Sequence, residues 1–123
     1  YAWRPFNMST RTTGTIYENT AVRYLQQQGL TLVEQNFRLR DGEIDIIMKH
    51  GQFLVFIEVK YRRSGAFADI LEQIQPAQLQ RVRRSARIYL HLHGYAEHLT
   101  ACRFDILAIT GSPQDINWLQ DAF

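Results

Sequence analysis

GEIDIIMKHGQFLVFIEVKYR, residues 42–62, is the stretch from which the fold is read. Two apolar runs, residues 44–48 and 53–59, flank a His50-Gly51 turn signal. Their Ile, Val and Phe content predicts a β-hairpin. Side chains alternate faces along a strand, so Glu43 and Asp45 share one face of the first strand, and Glu58 and Lys60 one face of the second. An even turn centred on His50-Gly51 sets Asp45 opposite Phe56 and Glu43 opposite Glu58. All four charged groups then project from one side of the hairpin, with Glu58 diagonal to Asp45. An odd loop or a bulge would scatter them.

Carboxylates facing each other across a sheet repel, and the apolar neighbours Ile47, Leu54 and Phe56 on that face raise the cost of keeping both charged. Two remedies exist: one carboxylate holds a proton, or a cation sits between them. Oxygen-only ligands suit Mg²⁺ or Mn²⁺. Lys60, one step further along the face, is placed to orient a water or steady a developing negative charge. That is the constellation of a metal-dependent phosphodiesterase. The same residues also suit an ordinary hairpin end, where Glu58 and Lys60 neutralise each other at the solvent edge.

Working outward, a helix starts near Thr15 and stops at Gly29, with Ala21, Val22 and Leu25 as its apolar stripe. Glu18 falls on that stripe, which turns its carboxylate inward. Thr15-x-x-Glu18 is also a capping box, which would account for Glu18 without any function. Residues 30–38 form the first strand, and Arg40-Asp41-Gly42 turn into the hairpin. A polar loop, residues 61–69, follows. Pro76 opens a second helix with Leu79, Val82, Ala86, Tyr89 and Leu90 as its buried stripe; it ends near His93-Gly94. Residues 102–109 make a buried strand, Gly111-Ser112-Pro113 a turn, and residues 116–123 an edge strand or docked tail. The order α-β-β-β-α-β is that of an α/β sandwich with a mixed sheet flanked by helices. Residues 14–123 are expected to make one domain behind a mobile tail, residues 1–13.

The 123 residues suffice for one core, and 46% apolar with 21% charged is ordinary for a globular domain. No apolar run is long enough to cross a membrane and no signal peptide is present, so a cytoplasmic location is expected. The single Cys102 rules out an internal disulfide. Net charge is only +2, but Arg81, Arg83, Arg84 and Arg87 crowd one helix, and Arg62 and Arg63 follow the hairpin. Acids ringed by arginines are what would hold metal ions against phosphates, although solvated surface arginine has the same signature.

Glu18, Ala21, Tyr24-Leu25, Gly29, Asn36-x-Arg38, Gly42-Glu43-Ile44-Asp45, Val55-Phe56-Ile57-Glu58-Val59-Lys60, Arg62, Arg103-Phe104-Asp105 and Ala122-Phe123 together resemble the YraN-like bacterial family. That family is related by fold to archaeal Holliday-junction resolvases, within the restriction-endonuclease-like nucleases and their D…(E/D)-x-K active site. The resemblance implies an αβββαβ core in which Asp45 and Glu58 are metal ligands and the Val59 carbonyl completes the metal shell. It also implies Lys60 as the catalytic lysine and Glu18 as a helix-borne accessory acid, with Gln78 at the position where the family's lysine makes a phosphate or metal-water contact. Arg62, Arg63, Arg81 and Arg84 are the expected nucleic-acid contacts. Tyr17 and Gln78 stand where the family often has Gly and Lys. Two functions follow: a Mg²⁺- or Mn²⁺-dependent DNA endonuclease, resolvase-like on branched DNA, or a DNA- or protein-binding module that keeps the fold without turnover. A resolvase would act as a homodimer, because a four-way junction offers two symmetric cut sites.

Overall fold

The structure, a computed structural model, describes residues 10–64 and 67–123. Its elements are α1 (Thr10–Gln27), β1 (Thr31–Leu39), β2 (Gly42–His50), β3 (Phe53–Arg62), α2 (Phe67–Gln73), α3 (Pro76–Leu92), a 3₁₀ turn (Glu97–Leu99), β4 (Cys102–Thr110) and β5 (Ile116–Leu119). The five strands form one mixed sheet in the order β1-β2-β3-β4-β5. Only β3 and β4 run parallel, which is why two helices lie between them; the other pairs are antiparallel.

Helices cover both faces of the sheet. On one, Tyr17, Ala21, Val22 and Leu25 of α1 pack on Ile46, Met48, Val55, Ile57, Leu107 and Ile109. On the other, Val82, Ala86, Tyr89 and Leu90 of α3 pack on Phe37, Ile44, Ile47, Leu54 and Phe56. The central strands β2 and β3 are therefore buried on both sides, as their unbroken apolar runs require. Phe56 is fully enclosed, edge-on to Tyr89 and stacked on Phe104. Truncating it to Ala would cost about 3–5 kcal/mol.

Both long helices end alike. Gly29 and Gly94 take positive φ, and the amide one residue on (Leu30, Tyr95) reaches back to the carbonyl five residues earlier (Leu25, Leu90). Leu30 and Leu25 also share the core under α1, so each cap is tied to packing.

The expected order of elements is present, with four differences. Helix α1 begins at Thr10, not near Thr15, so Thr15 lies inside the helix and the capping-box account of Glu18 fails. Residues 1–9 of the expected tail lie outside the described residues. The stretch expected as a polar loop contains the end of β3 and the start of α2; Ile70, buried against the fold, holds that short helix in place. The hairpin turn is Gly51-Gln52, because His50 pairs with Phe53. Phe56 accordingly faces Ile47 rather than Asp45, and the register carries Asp45, not Glu43, towards the level of Glu58.

Candidate active site at a splayed strand end

The β2–β3 ladder runs from His50↔Phe53 to Ile46↔Ile57 and stops there. The next residue of β2, Asp45, leaves the ladder: its carboxylate Oδ2 accepts the backbone N–H of Val59 at 2.9 Å. A side chain thus takes the place of a main-chain partner, and the two strands part around it. Glu58 lies in the parting. Both acids are 7% exposed.

Around this opening a cavity of about 270 Å³ is lined by Glu18, Glu43, Asp45, Glu58, Val59, Lys60 and Gln78, with Tyr17 and Tyr61 as its aromatic wall. The two tyrosine rings stack with centroids 3.8 Å apart. A second hollow, about 250 Å³, shares Glu43, Glu58 and Gln78 and adds Arg81 and Gly42. Gly42 is what allows α3 so close: a Cβ there would stand 2.6 Å from Ser85 Oγ. That approach brings Gln78 and Arg81, on the first turns of α3, to the acids.

Burial pushes Glu58 well above the ordinary carboxylate range, and a hydrogen bond to Asp45 and that group's charge push it further. The pair therefore favours keeping a proton between its two carboxylates, the first of the two remedies that opposed carboxylates have. Glu18 is raised to about 7, first by desolvation and then by the charges of Asp45 and Glu43; a hydrogen bond from Asn36 pulls the other way. Its Oε1 is buried with no partner. A buried acceptor without a donor invites a water, a proton or a cation.

Most of the sequence-expected site converges: Glu18, Asp45, Glu58, Val59, Lys60 and Gln78 line one cavity, with Arg81 at its rim. The other arginines have separate engagements. Arg62 donates to Gln73 Oε1 at 3.1 Å and to the Tyr61 carbonyl at 2.7 Å. Arg84 donates to the Asp41 carbonyl at 3.0 Å, and Arg63 is exposed. Arg83 and Arg87 border a different cavity, about 360 Å³, between α3 and β4: Arg83 lies over the Phe104 ring and Arg87 pairs with Glu97. The arginine row of α3 thus serves two sides of the helix.

The sequence names Asn36, Tyr17, Arg103 and Asp105 but gives them no role in the site, and Tyr61 falls in the expected loop. Asn36 holds a left-handed backbone at φ 55°. Tyr17 and Tyr61 wall the cavity, and the Arg103-Asp105 pair braces β4 against the turn of the hairpin. Arg103 Nε and a terminal nitrogen each lie 3.0 Å from Asp105, and the same terminal nitrogen reaches His50 Nδ1 at 2.9 Å. Trp118 Nε1 and the Asp121 amide complete the shell of Asp105 at 2.9 Å. The signal for Asn36 was available, since Asn is the residue after Gly most at ease in that backbone region.

Among the described residues no helix is long and apolar enough to cross a membrane. A family model described as "Uncharacterised protein family UPF0102" matches residues 17–109, which contain every acid of the site. The chain is 44% identical over 114 residues to a UPF0102 protein of Vibrio vulnificus, covering 93% of each chain. To one of Idiomarina loihiensis it is 44% identical over 111 residues, covering 90% of this chain and 96% of that one. To one of Shewanella halifaxensis it is 46% identical over 110 residues, covering 89% and 93%. The likeness spans α1 to β4 and both arms of the acidic hairpin, and the chain belongs to the UPF0102 family, the YraN-like group that its motifs resembled.

Proposed function

We propose that the chain is a Mg²⁺- or Mn²⁺-dependent DNA endonuclease that hydrolyses phosphodiester bonds, with branched DNA as the substrate class favoured by the resemblance to resolvases. The observation that carries this reading is the pair of buried carboxylates, Asp45 and Glu58, meeting where two strands part beside Lys60. A carboxylate pair that must hold a proton to be buried is one that a divalent cation stabilises by displacing that proton. The donors at hand are all oxygens, namely the two carboxylates, the Val59 carbonyl and the partnerless Glu18 Oε1, and these suit a hard cation.

When bound, such a cation would supply Lewis acidity and a water ionisable near neutral pH. The chain's residues would do the rest. Lys60 would orient the attacking water and stabilise charge developing on the phosphate. Glu18 would be the accessory acid on α1, its open Oε1 turned to the cation or to a water held by it. Gln78 and Arg81 would hold the phosphate at the cavity rim, and Arg62, Arg63 and Arg84 would meet phosphates further along the strand. On a four-way junction, the two symmetric cuts would call for a homodimer.

The second reading is a DNA- or protein-binding module that keeps the fold without turnover. The deciding experiment is cleavage of linear, nicked, flapped and four-way-junction DNA with Mg²⁺ or Mn²⁺, comparing wild type with Lys60→Ala. The substitution leaves both carboxylates in place, so metal and DNA binding persist. Turnover falls by about 10²-fold or more, since a group poised for the transition state adds little to ground-state binding. Undiminished metal-dependent cutting by the variant removes Lys60 from the mechanism. Failure of the wild type to cut any of these substrates leaves the binding module.

A further inference from the structure

The opening at Asp45 has a cause one strand away. In β1 and β2, Glu34 pairs with Ile47 and both face α3: Ile47 belongs to the core there, and Glu34 lies 4.0 Å from His93. The next pair, Gln35↔Ile46, faces α1, where Gln35 Nε2 donates to Asn19 Oδ1 at 3.0 Å. Strict alternation would return residues 36 and 45 to the α3 side and put 37 and 44 on the α1 side. Instead Phe37 and Ile44 both pack under α3. The two strands change face together, between the pairs Gln35↔Ile46 and Phe37↔Ile44. The residues at that step are Asn36 and Asp45, which make no ladder pair with each other.

Of the two, only Asn36 has an unusual backbone, at φ 55°. A left-handed residue inside a strand reverses the side to which its neighbours point, as in a bulge. The reversal in β2 follows because Phe37↔Ile44 remains paired. Asp45 is thereby released from both ladders and free to accept the Val59 amide.

We propose that Asn36 is a positioning residue of this site: its left-handed backbone carries Asp45 out of the sheet. The proposal deepens the metal-dependent reading above, but its geometry stands without a metal. Asn suits the task, since after Gly it is the residue most at ease in that backbone, whereas a β-branched residue would resist it.

The test uses Asn36→Gly, Asn36→Ala and Asn36→Val, read by hydrogen exchange at the Val59 amide and by Mn²⁺ affinity in calorimetry. In Asn36→Val, Val59 exchange rises about tenfold relative to the Val55 and Ile57 amides, the size of effect expected from forbidding a left-handed residue. Mn²⁺ affinity falls with it. In Asn36→Gly, which keeps the left-handed backbone, Val59 protection and Mn²⁺ affinity both stay at the wild-type level. Should Asn36→Val not fold, Asn36→Ala replaces it, with the same direction expected. Unchanged Val59 protection in both folded Val and Ala variants overturns the backbone role. An equal fall in protection in the Gly variant overturns it too, because the backbone is then not what matters. If wild type binds no Mn²⁺ while Val59 still responds, the metal reading falls and the positioning role stands.

Discussion

Two buried acids on neighbouring strands of this sheet have opposite fates. Asp105, fully enclosed on β4, accepts a bidentate Arg103, the Trp118 indole and the Asp121 amide. Every oxygen is satisfied, and the guanidinium also lies over the Phe53 and Trp118 rings. Glu58, on β3, meets another carboxylate instead of a cation and rises far above the usual acid range. Beside it, Glu18 keeps a buried oxygen without a partner. Burial alone therefore does not mark a functional acid. A network that closes on itself is a brace; one that leaves acceptors open holds a place for something the chain does not itself provide.

The contrast is open to direct attack. The largest effect should come from the closed network. Asp105→Ala leaves Arg103 buried and unpaired, so it should cost about 3–5 kcal/mol and lower the melting temperature by about 10–20 °C. A destabilisation no larger than that of a surface mutation would mean that the network is not a brace.

The open site should behave in the reverse sense. Asp45→Asn removes one of the charges that raise Glu58, so metal-free stability should hold or rise. Mn²⁺ binding and any cleavage should disappear. A clear fall in melting temperature with metal affinity unchanged would make Asp45 structural, like Asp105.

A smaller effect is expected from pH. Glu18 has a folded pKa of about 7 against an ordinary 4.5, and Glu58 is shifted the same way. A raised acid favours the folded state fully below its unfolded value and loses that contribution as pH rises through the folded one. Metal-free denaturant midpoints should therefore decline from about pH 4.5 past pH 7, and saturating Mg²⁺ should flatten the decline. Midpoints that climb across that window would contradict the raised acids.

The smallest effect concerns the rim. Arg81→Ala with Arg84→Ala should lower the salt dependence of DNA binding by about one log–log unit for each phosphate no longer neutralised. Arg83→Ala with Arg87→Ala, on the other side of the helix, should leave the slope unchanged. Equal effects from both pairs would mean that the whole helix, not its site-facing edge, meets the nucleic acid.

Local pattern determined much of this molecule. The doubly apolar runs of β2 and β3 announce central strands, Gly29 and Pro76 mark helix limits, and the alternation of Glu58 and Lys60 puts them on one face. Each is a matter of period or punctuation within a few residues. The GEID and E-V-K motifs likewise carried the family. Tertiary structure alone decided what those acids face. The turn slid by a residue to Gly51-Gln52, because the core pairs Ile47 with Phe56 under α3. The stripe already turned Glu18 inward; the fold decided that it meets Asp45 and Glu43 there, and by starting α1 at Thr10 it removed the capping-box alternative. Arg103 and Asp105 were placed on a buried strand, but the partners that enclose Asp105, Trp118 and Asp121, come from the far end of the chain. And Asp45 leaves the ladder because Asn36, on another strand, adopts a backbone that no periodicity records. Sequence pattern reports preferences of neighbouring residues; whether a buried charge is answered depends on partners that only the fold brings within hydrogen-bond reach.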